Sequence, residues 1–164
     1  MRGSLVAPAL VLLLGACSGG YPEHPIDVVA AWAEARAAGA DPSIYETHAD
    51  QTRALHRGRT NRHSSAPPVG ATGFKSRGQS FVGGGEERLR DADCYHAIQV
   101  EREPLAATTG PRWEGGVARS GPCYLMVSYE MLPAESEGES AEPLNLRAWV
   151  VFDGTHFLVV PPKP

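Results

Sequence analysis

The chain has 164 residues, a formal charge of −4, 42% aliphatic and aromatic residues, 18 Gly and 14 Pro. That length and apolar content suit one domain with its own core, and the Gly and Pro content points to extensive loop. The mild acidity argues against general nucleic-acid binding.

Residues 1–16 carry the three zones of an export signal. Arg2 supplies the positive start, residues 5–14 form an apolar run, and Gly15 and Ala16 are small residues at a cleavage site. The ten residues of that run are too few to cross a hydrocarbon core, which takes about 20 in a helix. Leu14-Gly15-Ala16-Cys17 resembles the lipobox of bacterial lipoproteins. The resemblance implies cleavage before Cys17, a diacylglycerol on its thiol, and usually an acyl chain such as palmitate on its new amine. Two or more chains anchor stably where a single one binds marginally. By the same resemblance, Ser18 directs the protein to the outer membrane, facing the periplasm. The expected location is therefore the bacterial cell envelope, with the membrane as first partner through lipid on Cys17. Loss of Arg2 with the signal moves the formal charge from −4 to −5.

Residues 17–25 read as the lipidated cysteine and a short tether, and residues 26–164 as a single domain. A first helix is expected over 25–38, with Pro25 at its first position and Gly39 as its stop. Ile26, Val29, Ala30, Ala33 and Ala37 share one face of it, with Trp32 alongside. Asp41 as N-cap and Pro42 after it begin a second helix. Ile44, His48, Thr52 and Leu55 keep helical spacing up to Arg57, before Gly58. So short a turn predicts a helical hairpin or corner.

Residues 59–85 are rich in Ser, Gly, Pro and Arg without a sustained period and read mostly as loop, within a loop-rich stretch over 59–90. A short strand is possible over 79–82. Beyond it the pattern turns to period two. Cys94, His96, Ile98 and Val100 alternate in one strand, and Cys123, Leu125, Val127, Tyr129 and Met131 in another. Residues 104–122 between them read as loop, with room for a short strand near Trp113 or Val117. Glu135, Glu137, Glu139 and Glu142 mark a solvated connection, without the ligand spacing of a calcium loop. The strongest local signal is an apolar run over 144–152, Asp153-Gly154, then a second run to Val160. Asp-Gly between such runs favours a two-residue type I′ hairpin turn. That turn pairs Phe152 with Thr155, Val150 with Phe157 and Trp149 with Leu158. Apolar residues on both faces of the hairpin imply that both are at least partly covered.

Two helices followed by a mostly antiparallel sheet with a C-terminal hairpin make an α+β fold. The helix pair and the closing Trp149–Val160 stretch, in that order, resemble the cone-shaped folds of the nuclear transport factor 2-like superfamily. That resemblance implies a pocket between helices and sheet, in a superfamily holding both isomerases or hydratases and non-catalytic members. It carries no catalytic residue over to this chain.

An oxidising compartment makes a Cys94–Cys123 disulfide the default. If their strands were simple hairpin neighbours, the two cysteines would lie at opposite ends, too far apart for a bond that needs Cα atoms within about 7 Å. Other chemistry is sparse. Gly78-Gln79-Ser80-Phe81-Val82-Gly83 misses the nucleophile-elbow spacing and its strand and helix context. Gly83-Gly84-Gly85 is followed by Glu86 and Glu87, which repel phosphate. Cys94, His96 and Cys123 offer three ligands where structural zinc takes four, so no metal and no cofactor is assigned. His48 beside Asp50 or Tyr45 is the one candidate general base, with a core histidine as its plainer reading, and His156 reads as an exposed strand residue facing Val151. No catalytic residue is assigned, and the reading favours a domain that is not an enzyme.

One asymmetry remains. Arg53, Arg57, Arg59, Arg62, Lys75 and Arg77 lie in a stretch, 51–85, that holds no Asp or Glu. The plain reading is a solvated loop; the sharper one is contact with an anionic surface near the anchor, phospholipid headgroups or an acidic envelope polymer. The expectation is a membrane-anchored lipoprotein whose domain binds an envelope protein or surface. The alternatives are a small-molecule-binding or isomerase-like cone fold, and an assembly or pilot lipoprotein of a secretion or outer-membrane machine.

Overall fold

Pro25, whose fixed φ suits a first helical position, opens α1 (Pro25–Ala37). Gly39, at φ 68°, ends it. Its amide bonds the Arg36 carbonyl at 3.0 Å and the Ala40 amide bonds the Ala35 carbonyl at 2.9 Å, a Schellman closure that only a residue at ease with positive φ allows. The computed structural model describes residues 20–57, 62–83, 112–114, 117–119, 123–134 and 141–163. The strands are β1 (Thr72–Gly83), β2 (Arg112–Glu114), β3 (Val117–Arg119), β4 (Cys123–Leu132), β5 (Leu144–Phe152) and β6 (Phe157–Val159). β2 and β3 pair with each other, while the main sheet is antiparallel in the order β1-β4-β5-β6. The α+β arrangement read from the sequence is the one observed, and the sheet is open.

α1 crosses the front face of the sheet from β6 to β1. At its start the Tyr21 hydroxyl donates to the Phe157 carbonyl at 2.6 Å; at its end the Gly70 amide bonds the Ala37 carbonyl at 2.7 Å. Val28, Val29, Trp32 and Ala33 are wholly buried against Leu125, Val127, Tyr129, Ala148, Val150 and Val159. Burial of each large apolar side chain stabilises by about 1.5–3 kcal/mol. The buried stripe is centred nearer Val28 and Trp32 than the sequence spacing suggests, because the chain returning from α1 covers that side as well.

That return differs from the expected second helix. Residues 43–45 form a single 3-10 turn (Ser43–Tyr45), Glu46 bridges Val159 in parallel, and α2 (Ala49–Arg57) starts only afterwards. Asp41 still starts the turn, its carboxylate accepting the Ser43 amide at 2.9 Å; that bond holds its pKa below the usual carboxylate range. Helical geometry breaks because β6 offers an unpaired edge, and the Thr47 amide takes the Val159 carbonyl at 3.0 Å. Ile44, expected on the inner face, is left 66% exposed.

The hairpin forms with a wider turn than expected. Phe152 pairs with Phe157, Val151 with Leu158 and Val150 with Val159, two residues from the expected register. The Asp153 carboxylate accepts the amides of Thr155 at 2.8 Å and His156 at 2.7 Å, and the Asp153 amide bonds the His156 carbonyl at 3.0 Å. These bonds favour a four-residue loop over Asp-Gly alone. A shift of two leaves every side chain on its face. Both faces are covered as expected, with Val151, Leu158, Val160 and Tyr124 forming a second buried cluster at the back.

Residues 62–71 wrap the sheet. Ser64 Oγ accepts the Trp149 amide at 2.9 Å and the Ser65 amide bonds the Arg147 carbonyl at 2.7 Å, capping β5 where β6 stops. The Tyr129 hydroxyl then donates to the Ser65 carbonyl at 2.8 Å, and Ala71 enters the core before β1. The stretch 72–83, expected as loop apart from 79–82, is all strand. Register shifts between Thr72 and Lys75 and between Ser76 and Gly78 break its alternation.

Candidate functional site

The back of the sheet divides in two. Toward the β5–β6 turn it is apolar and buried; toward the other end it is polar and exposed. β1 brings Lys75 and Arg77 to this lower half, β4 brings Ser128 and Glu130, and β5 brings Asn145 and Arg147. The register fixes their neighbours: Lys75 lies opposite Glu130, which lies opposite Asn145, and Gly78 lies opposite Ser128, which lies opposite Arg147. Side chains directly opposite have Cβ atoms about 5 Å apart, and β1 and β5 are about 10 Å apart across β4.

Arg77 forms an ion pair with Glu130, whose side chain is only 14% exposed while that of Arg77 is 49% exposed. The carboxylate is thus enclosed and the guanidinium presented. Lys75 and Arg147 are exposed and have no ion-pair partner among the described residues. Among the described residues, three cations stand against one carboxylate on this half of the face, a local excess of positive charge. Gly78, at the bulge (φ 148°), is exposed, and a Cβ there would meet nothing within 4 Å.

Arg62 sits higher on the same face. Its guanidinium lies 4.5 Å from the Trp149 ring centroid and 5.0 Å from that of Tyr124, and the two rings meet edge to face at 6.1 Å. Stacking on two aromatics holds the guanidinium in place.

The six cations read from the sequence are therefore divided. Arg62, Lys75 and Arg77 share the back face. Arg53 sits on α2 in an exposed ion pair with Asp50. The Arg57 side chain and all of Arg59 lie outside the described residues. Arg147 was missed by sequence reasoning, although strict alternation from Asn145 to Trp149 places it on the Trp149 face.

His48 does not line an interior site. It is exposed, and its amide bonds the Gln51 Oε1 at 2.8 Å where α2 begins; the broken second helix turns it away from the core. His156 likewise lies in the turn, not opposite Val151, with its ring 4.4 Å from that of Tyr21. Among the described residues, no three His, Cys, Asp or Glu side chains gather into a metal site. Cys123 opens β4 opposite Gly83, whereas Cys17 and Cys94 lie outside the described residues. β4 is paired with β1 on one side and β5 on the other.

Tyr21 lies within the stretch expected as tether and is already seated on the domain. Burial first, then the Asp153 carboxylate and Tyr45, push its hydroxyl pKa up to about 12. No protein-family model, curated protein or solved structure matches the chain.

Proposed function

We propose that the chain is a lipid-anchored envelope lipoprotein, held at the outer membrane through Cys17, whose domain binds an anionic surface with the sheet face bearing Lys75, Arg77 and Arg147. The anchor rests on Leu14-Gly15-Ala16-Cys17 after an apolar run of signal length. The observation that carries the binding role is the exposed cationic half-face, on the side of the sheet opposite α1. With Val28 and Trp32 wholly buried and His48 exposed, recognition through a surface has more support than recognition in a pocket between helix and sheet.

Near an anionic surface each Lys or Arg adds roughly 1 kcal/mol, so three cations give about 3 kcal/mol, or roughly a hundredfold in affinity. Such binding falls steeply with salt. The test is co-sedimentation of the unacylated mature chain (Cys17→Ser) with phosphatidylglycerol vesicles and with dextran sulfate. Lys75→Ser, Arg77→Ser and Arg147→Ser combined should remove most low-salt binding to whichever of the two is bound. Equal binding by the triple variant would sink the proposal.

A further inference from the structure

We infer that the anionic surface met by this face is the headgroup layer of the same membrane that holds Cys17, so that the exposed polar half of the sheet's back meets the bilayer and α1 faces away. The inference rests on the lipid-anchored reading above and adds an orientation and a ligand to it. Four observations support it.

The first is where the chain leaves the domain. Tyr21 is gripped by the Phe157 carbonyl and by contacts with His156 and Tyr45, at ring separations of 4.4 and 5.8 Å. The chain from Cys17 to Tyr21 spans at most about 14 Å, which keeps the β5–β6 end close to the bilayer.

The second is which side the chain leaves from. Tyr21 packs against both the front cluster and the back cluster, so it sits at the sheet edge. An edge exit lets the back turn toward the bilayer, whereas an exit over α1 would not.

The third is reach. Arg147 lies five residues along β5 from Phe152, about 17 Å at strand spacing. With the hairpin turn pointing down and the strands upright, the cations would stand more than two Debye lengths of about 8 Å above the headgroups, where attraction is screened. With the polar half of the back turned toward the bilayer, Lys75, Arg77 and Arg147 reach the headgroups together.

The fourth is charge on the opposite side. Asp27 and Glu34 project from α1, both exposed. An anionic surface repels that side and attracts the back.

The test uses the full acylated protein in vesicles of phosphatidylcholine, alone or mixed with phosphatidylglycerol, that contain a headgroup-level quenching lipid. A genetically encoded fluorescent amino acid replaces Asn145 on the back face or Glu34 on α1. On phosphatidylglycerol vesicles, quenching at position 145 should exceed that at position 34 several-fold. High salt, or the combination Lys75→Ser, Arg77→Ser and Arg147→Ser, should abolish the difference while the protein stays vesicle-bound through its lipid. Equal quenching at the two positions, or stronger quenching at 34, would overturn the orientation. If dextran sulfate then binds the same face, the ligand is an acidic polymer and the basic-face reading survives; if it does not, both readings fail. Failure of the acylated protein to stay on vesicles would remove the anchor beneath the inference.

Discussion

The indole N–H of Trp32 donates to Glu46 Oε1 at 2.8 Å, and the same oxygen accepts Arg36 Nε at 3.1 Å and Nη2 at 2.6 Å. One carboxylate oxygen thus ties the wholly buried Trp32 to a guanidinium that also lies 5.4 Å over the indole ring. The segment carrying Glu46 is what closes the β6 edge.

Removing that carboxylate leaves a buried donor unmet and a half-buried cation uncompensated. Glu46→Ala should cost about 2–3 kcal/mol. Glu46→Gln, which keeps an acceptor for Trp32 and loses the ion pair, should cost about half as much. Urea midpoints at unchanged m-value measure both. A loss within 0.5 kcal/mol for the alanine variant, on the order of an ordinary surface change, would contradict the bonding described.

Gly70 has φ 87°, and a Cβ built there would lie 2.8 Å from the Ala134 Cβ. Its amide also holds the Ala37 carbonyl at the end of α1. Gly70→Ala meets both a strained backbone and a clash, so it should destabilise by about 1–3 kcal/mol. Gly39→Ala, where added bulk meets nothing within 4 Å, should cost only the backbone strain, about 1 kcal/mol. Paired thermal melts of the two variants separate these contributions.

Tyr21 and Tyr129 both hold their protons more tightly in the fold than as free side chains, chiefly through burial. Below the unfolded value near 10 the folded and unfolded states bind the same proton, and the stabilisation of the neutral form is fully present. As pH rises from there toward about 12 for Tyr21, the unfolded chain releases its proton first and stability falls. Tyr21→Phe should reduce the slope of stability against pH above pH 10 while costing about 1 kcal/mol at neutral pH for the lost bond to Phe157. Asp153→Asn should lower the pH at which Tyr21 titrates, because the Asp153 carboxylate is the second cause of its shift. Ultraviolet titration of the tyrosinates reads both effects.

What could be read in the sequence follows from where its signals are local. α1 is bounded by Pro25 and Gly39, β4 carries an alternating set from Cys123 to Met131, and β5 is an apolar run ended by Asp153-Gly154, so all three emerge from the sequence within a residue or two. The turn at Asp153-Gly154 was legible but its width was not, because the deciding bonds go from one carboxylate to two amides further on. The second helix fails where β6 competes for the Thr47 amide, a demand set by tertiary structure alone. β1 was hidden by two bulges and by its polar surface, with Phe74 and Phe81 as its apolar core contacts among the described residues. The candidate site suffered in the same way. Reading charges along the sequence grouped Arg53 with Lys75 and Arg77 because they are close in the chain, whereas strand pairing replaces Arg53 with Arg147, which lies far along it.

The order β1-β4-β5-β6 also bears on how the molecule assembles. β4, β5 and β6 are sequence neighbours, with only residues 153–156 between the last two, while 39 residues separate Gly83 from Cys123. Closing the longer loop costs about 2 kcal/mol more than closing the turn, which favours formation of the three-strand meander before β1 adds to it. Yet β1 is synthesised before its partner. During that interval its Lys, Arg, Ser and Gly content keeps an unpaired strand soluble. The same residues that give the mature face its charge thus protect the nascent chain from pairing with the wrong edge.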